Sequence, residues 1–192
     1  VVKQIVTTYV SFIRGTPVVL QILIIYSLLP SLFNTIVKSI GWNINIFEIN
    51  PIIYAYIVFS LNTSASLSEI FRSALLTVNK GQFEAALSIG MTPVQAYTRI
   101  IIPQALVSAL PNICNLTINL IKGTSLAFLM TVKEVTAIAK IAASYGYNYI
   151  ESYIDILIIY IILCSLVQIL FALLEKHLGS YKTLPWSKVK TS

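Results

Sequence analysis

Six polar side chains recur every three or four residues through an otherwise apolar stretch: Gln104, Ser108, Asn112, Asn115, Asn119 and Lys122. At about 100° per residue they fall within roughly 80° of arc on a helix. Only Thr117 breaks the apolar character of the far side. A primary amide offers two N–H donors and a carbonyl acceptor, so a row of asparagines suits a small zwitterion that carries both kinds of partner. A second stripe, Asn62, Ser66, Glu69 and Ser73, covers about 60° by the same arithmetic. This is recognition chemistry rather than bond-making chemistry. The sequence has no His/Cys/Asp cluster, no paired carboxylates inside an apolar run and no nucleophile with an evident base, so no catalytic residue is assigned. A single histidine, His177, excludes a multi-histidine metal site. Nothing matches GxxxxGK[ST], so no nucleotide-binding loop is expected in this chain.

The elements that must position these stripes are membrane helices. The 192 residues are 57% hydrophobic and 10% charged, whereas soluble domains carry about 25% charged residues. The mean hydropathy is +0.83. No run of short alternating strands argues for a β-barrel. Four spans are expected, roughly 17–37 (interrupted by Pro30), 51–76, 104–121 and 153–174. Each is long enough to cross ~30 Å of hydrocarbon. The segment 126–143 is also apolar, but Lys133, Glu134 and Lys140 make it a short or interfacial helix. Cys114 and Cys164 both lie in apolar runs and read as small buried hydrophobes. The whole chain reads as one domain, 1–192, with a loop at about 77–103.

Charge orients the spans. With the 77–103 loop and the C-terminal tail on one side, that side collects Lys3, Arg14, Arg72, Lys80, Arg99, Lys176, Lys182, Lys188 and Lys190. The other side holds Lys38, Lys133 and Lys140, with Lys122 near its surface. Basic residues concentrate on the cytoplasmic side, so the first side is inside. The net charge of +6 therefore belongs to topology and calls for no nucleic-acid partner. Asn62 then sits ~16 Å into a span entered from outside and Asn115 ~16 Å into one entered from inside, both near the bilayer midplane. Tyr145, Tyr147, Tyr149 and Tyr153 read as an aromatic belt at the outer interface. Glu151 and Asp155 read as the solvated start of the last span.

The inner loop is structured. Residues 82–89 read as a short helix ended by Gly90, at the position that favours a left-handed residue. Thr92 then caps a second helix that begins at Pro93. Phe83, Leu87 and Met91 are too many apolar residues for a merely solvated loop and point to docking of a soluble partner.

Here a resemblance becomes specific. Glu84-Ala85-Ala86, three residues, Gly90, nine residues and Ile100-Ile101-Ile102-Pro103 resemble the EAA loop of ABC-importer permease subunits. Arg14-Gly15-Thr16-Pro17, the run Ser60-Leu61-Asn62 to Glu69-Ile70-Phe71-Arg72, and Lys122-Gly123-Thr124-Ser125-Leu126 resemble signatures of the polar amino-acid subfamily. The resemblance implies a type I importer fold, an all-α helical bundle usually of five spans. Four are visible here, and a fifth, N-terminal one is expected to be missing, in keeping with a start at Val-Val-Lys. It also implies an inner-membrane, multi-pass subunit that pairs with itself or a close relative. Two cytoplasmic ABC ATPases would dock beneath, with Glu84, Ala85, Ala86 and Gly90 in the coupling contact. ATP and magnesium would be bound by that partner and no cofactor by this chain, and an extracytoplasmic binding protein would deliver an amino acid.

On this reading Asn62, Ser66, Asn112, Asn115, Asn119, Lys122, Thr124 and Ser125 line the substrate pathway. A packing role is open to the same residues. Small polar residues such as Ser64, Ser66 and Ser68 let helices approach closely, and asparagines hydrogen-bond across helices. Glu69 reads as an intrahelical partner of Arg72, and Lys122 can either snorkel outward or attract a carboxylate. The third span carries no acid, which argues against a cationic substrate in this subunit. Gly123 after Lys122 resembles permeases for cystine and other sulfur amino acids. Two further functions compete: a secondary transporter or channel without ATPase coupling, and a structural membrane assembly protein. Neither requires an EAA loop.

Overall fold

The computed structural model describes residues 1–41 and 48–178. Lys182, Lys188 and Lys190 of the inside-positive count lie outside the described residues. Eight α-helices are described: α1 (Val2–Gly15), α2 (Val18–Ser39), α3 (Pro51–Thr77), α4 (Lys80–Ser88), α5 (Pro93–Ala96), α6 (Ile102–Gly123), α7 (Val135–Gly146) and α8 (Tyr149–Leu178). A π-turn over Tyr97–Ile101 joins α5 to α6, and a 3₁₀ segment over Thr124–Met130 follows α6. The fold class is all-α, as expected. Among the described residues, three stretches are long and apolar enough to cross a bilayer: Val18–Ser39, Pro93–Met130 and Tyr149–Leu178. Helix α3, at 27 residues, has the length but is more polar along its second half.

The chain packs as two units, Val1–Glu69 with Leu116–Cys164, and Ile70–Asn115 with the part from Ser165 onward. In the first, Ile22 of α2, Tyr54, Ala55 and Val58 of α3, and Ala127 and Met130 of the 3₁₀ segment form a buried cluster. The expected short or interfacial helix over 126–143 divides in two, a short helix in its second part (α7) and a 3₁₀ segment in its first. Its first part is core, and Thr131, at φ 59, breaks it from α7. A β-branched residue in the left-handed region costs roughly 1–2 kcal/mol; the Tyr26 hydroxyl, 3.1 Å from Thr131 Oγ1, holds it there. Of the three charged residues that disqualified this segment as a span, Glu134 does local work: it accepts from the Thr136 and Ala137 amides at 2.7 and 2.8 Å and caps α7.

Helix α1 is not among the expected elements, although Val2, Ile5, Val6, Tyr9, Val10 and Ile13 repeat at helical spacing. Its 14 residues end at the Arg14-Gly15-Thr16-Pro17 run, where Thr16 is extended and Pro17 starts α2. Tyr9 ties it to α3, its hydroxyl lying 2.7 Å from both the Leu61 carbonyl and Ser64 Oγ.

In the second unit, Ala74 of α3 packs against Ala105 and Ala109 of α6, all buried. These small residues let the two backbones approach. Pro103 has no N–H, and its ring would crowd the carbonyl four residues back. The chain widens there into the π-turn, with the Ile102 amide bonding back to the Tyr97 carbonyl. Helix α8 buries none of its residues and is apolar nearly all round, the expected character of a lipid-facing span. Glu151, in its first turn, and Asp155 are both exposed, as are Tyr145, Tyr147, Tyr149 and Tyr153. Cys114 is buried, Cys164 is half-buried, and neither is in a disulfide.

Candidate functional site

The stripe on α6 divides in two. At its α4-proximal end, Gln104 donates to the Ile100 carbonyl at 3.0 Å, and Ser108 Oγ lies 3.0 Å from Thr77 Oγ1. These two polar groups are consumed by the helix and its neighbour. Asn112, Asn115, Asn119 and Lys122 are all exposed, and none makes a hydrogen bond or ion pair among the described residues. The buried Ala105, Ala109 and Cys114 flank this row rather than oppose it, at about 60°, 100° and 120° from its centre at 100° per residue. So α6 packs along the flanks of a row that keeps three amides and an ammonium exposed.

Thr124 and Ser125, expected beside them, turn inward locally. Thr124 Oγ1 donates to the Ile121 carbonyl at 2.6 Å and Ser125 Oγ to the Lys122 carbonyl at 2.7 Å. Their hydroxyl protons close the end of α6 where it tightens into the 3₁₀ segment; only their lone pairs are left to meet a ligand.

On α3, the serine hydroxyls serve packing. Ser64 bonds Tyr9, while Ser68 and Ser73 donate to the Ala65 and Ile70 carbonyls. Ser66 is half-buried, and Glu69 and Arg72 both have partners. Asn62 differs. Its Nδ2 donates to Gln21 Oε1 of α2 at 3.2 Å. Gln21 Nε2 in turn lies 2.8 Å from the Ile13 carbonyl, 3.1 Å from the Thr16 carbonyl and 2.8 Å from Thr16 Oγ1. Gln21 and Thr16 thus join Asn62 in one polar node that the stripes did not reveal. The available signal was Gln21 itself, one of two amides, with Asn34, within an apolar span. Within the first unit, a Cβ on Gly123 would sit 3.9 Å from Phe59 Cε1.

The hairpin between α3 and α6 is built from capping chemistry. The Asn79 side chain accepts from the Gly81 amide and starts α4. Gly90, at φ 83, ends it, with its amide bonded to the Leu87 carbonyl and that of Met91 to the Ala86 carbonyl; this is the 5→2 and 6→1 pair of a Schellman cap. Thr92 and Gln95 then form a reciprocal capping box with Pro93 at the first position of α5. The arms close through Ala86 and Ala96, both buried, and through the Phe83 and Tyr97 rings 5.3 Å apart. Ala86 is therefore inside the hairpin, while Glu84, Ala85 and Gly90 are exposed. Beside them lie Leu87, Ile89 and Val94, the last two 78% and 72% exposed. Ile89 and Val94 enlarge the apolar surface beyond the residues singled out from sequence.

No neighbour lies within 4 Å of a Cβ placed on Gly90, so its substitution is a matter of conformation alone. Gly90→Ala should cost about 1–2 kcal/mol in the left-handed region. The measurement is amide hydrogen exchange at residues 90 and 91, which should speed up about five- to thirtyfold, with Gly90→Asn recovering most of the protection.

Comparison with known proteins places this geometry. The chain is similar to the Probable amino-acid permease protein YxeN of Bacillus subtilis (strain 168), 41% identical over 184 residues, 95% of this chain and 78% of that protein. It is similar to the L-cystine transport system permease protein TcyL of the same organism, 34% identical over 95% of this chain and 74% of that protein. Among solved structures it superposes on the crystal structure of an amino acid ABC transporter with histidines at a TM-score of 0.72, with 32% identity, covering 89% of this chain and 74% of that one. The inward-facing MetNI methionine ABC transporter shares the fold at a TM-score of 0.67 and 18% identity, covering 92% and 76%. Residues 1–180 match the family of the binding-protein-dependent transport system inner membrane component, and the chain belongs to that family.

Proposed function

We propose that this chain is the membrane-spanning permease subunit of an ATP-driven amino-acid importer in the bacterial inner membrane. The observation that carries the reading is the exposed row of Asn112, Asn115, Asn119 and Lys122, which stays unpaired among the described residues beside buried Ala105, Ala109 and Cys114. Unpaired amides do not face acyl chains. They require water, a passing solute or a second chain, and a permease pathway between two paired subunits offers all three. The exposed side of the α4–α5 hairpin supports the second half of the reading. Glu84, Ala85, Gly90, Leu87, Ile89 and Val94 form a shaped, partly apolar surface suited to a soluble ATPase, which would bind the ATP and magnesium.

The substrate favoured is a polar or sulfur-containing amino acid such as cystine. The exposed part of the stripe bears one cation and no acid, which suits a carboxylate and penalises a cationic side chain. Relatives named for L-cystine transport support the same choice. The test is reconstitution with the ATPase and binding protein in proteoliposomes. ATP turnover should rise with binding protein loaded with cystine or a neutral polar amino acid, and stay low with arginine or lysine. Uptake that runs without any ATPase would overturn the reading in favour of a secondary transporter.

A further inference from the structure

Gln21 determines which end of the Asn62 amide is on offer. The carbonyls of Ile13 and Thr16 can only accept, and both lie within 3.1 Å of Gln21 Nε2. Reversing that amide would set its oxygen against two carbonyl oxygens. Thr16 Oγ1 agrees with this orientation, since it donates to the Phe12 carbonyl at 2.9 Å and so accepts from Gln21 at 2.8 Å. Gln21 Oε1 is therefore the atom left facing Asn62, and only a donor can stand 3.2 Å from it. Asn62 must present Nδ2 to Gln21. Its Oδ1 then points the other way, and no hydrogen bond to it exists among the described residues. Asn62 is half-buried, one turn along α3 from Phe59, whose ring lies beside Gly123.

We propose that Gln21 is a positioning residue that holds Asn62 with its carbonyl oxygen outward, so that Asn62 accepts a hydrogen bond from the ammonium group of the transported amino acid. The proposal rests on the importer reading and deepens it. An acceptor in a water-poor setting gains most from a charged donor. It also rejects a substrate analogue that lacks the N–H, because the carbonyl is then left unpaired. Ile13 and Thr16, at the end of α1, thereby act on selectivity through Gln21 without touching substrate.

The test uses the permease assembled with its ATPase in nanodiscs, without binding protein, so that selectivity belongs to the membrane subunits. Binding of L-cystine, L-glutamine, L-methionine and L-histidine is compared with that of the matching 2-hydroxy acids. The native complex should prefer the amino acid at least about tenfold. Gln21→Met should reduce that preference to about threefold or less, and Asn62→Leu should abolish it. Asn62→Asp should deepen it, because a carboxylate replaces the amide oxygen opposite the ammonium. Retention of the full preference in Gln21→Met, with only a lower melting temperature, would reduce Gln21 to a brace between α1 and α2 and overturn the proposal. Should Gln21→Met fail to assemble, Asn62→Asp decides alone, and an unchanged preference there overturns it as well. A native complex that binds amino acids and 2-hydroxy acids alike overturns this proposal only. One that binds no amino acid counts against the importer reading itself.

Discussion

Reversing the charge at Glu84 is expected to detach the ATPase while leaving the permease folded in its membrane. Glu84 is exposed on α4, and no side-chain bond ties it to the described residues. Within the chain, Glu84→Lys replaces a favourable spacing to Lys80 with a like-charge pair at i,i+4, which costs a few tenths of a kcal/mol at most. Across a docking surface the same change is far larger. Removing or reversing one partner of a hydrogen-bonded charge pair costs about 2–5 kcal/mol, or roughly thirtyfold and upward in affinity. The two magnitudes differ by about tenfold, so folding and docking separate cleanly. Co-purification with the ATPase and turnover stimulated by loaded binding protein should both collapse, with membrane insertion and helical content unchanged. Glu84→Gln, which keeps the shape, should fall between. Retained association in Glu84→Lys would remove the hairpin from the coupling contact and leave the exposed Ile89 and Val94 without their proposed partner.

The parts of this molecule that were legible beforehand are those governed by local chemistry. Helices α2, α3, α6 and α8 begin and end within a few residues of the expected spans, because long apolar runs between Pro, Gly and charge leave the backbone no alternative in lipid. Gly90, the Thr92 cap and Pro93 behave as expected for the same reason, since a cap is decided by the residues that make it, and the structure adds the reciprocal bond from Gln95. What escaped depends on distant partners. Helix α1 is too short to read as a span, though its apolar residues repeat at helical spacing, and it is anchored by Tyr9 to residues 52 and 55 positions away. The 3₁₀ segment reads as interfacial until Ile22, Tyr54 and Val58 close over Ala127 and Met130. The polar stripe was visible as a row, but the row does not say which members are already engaged. Gln104 and Ser108 are held by Ile100 and Thr77, whereas Asn112, Asn115 and Asn119 are not. Side-chain bonds reassign residues that periodicity treats alike.

Asn115→Leu puts that distinction to the test, because the two environments open to an outward amide predict opposite results. Asn115 is exposed on α6, while Cys114 beside it is buried, so replacing it with leucine opens no cavity and disturbs no packed neighbour. Were this face turned to acyl chains, leucine would be the better residue, by the gap of about 1–3 kcal/mol that separates unpaired polar from apolar groups there. The permease would melt at a higher temperature and transport as before. On a pathway face, the amide contributes a hydrogen bond to a charged or polar group of the solute, worth about 1.5–3 kcal/mol where the partner is ionised. Leucine removes that bond and leaves the solute group unpaired, so uptake should fall by about tenfold or more, with ATPase association retained because α4 and α5 are untouched. Asn115→Gln retains the amide chemistry on a longer stem and should recover part of the loss, which a purely steric effect of leucine would not allow. The pair of measurements, melting temperature against uptake, therefore assigns the face. A rise in stability with unchanged uptake turns the stripe outward to lipid, and a fall in uptake with stability held makes it a wall of the route.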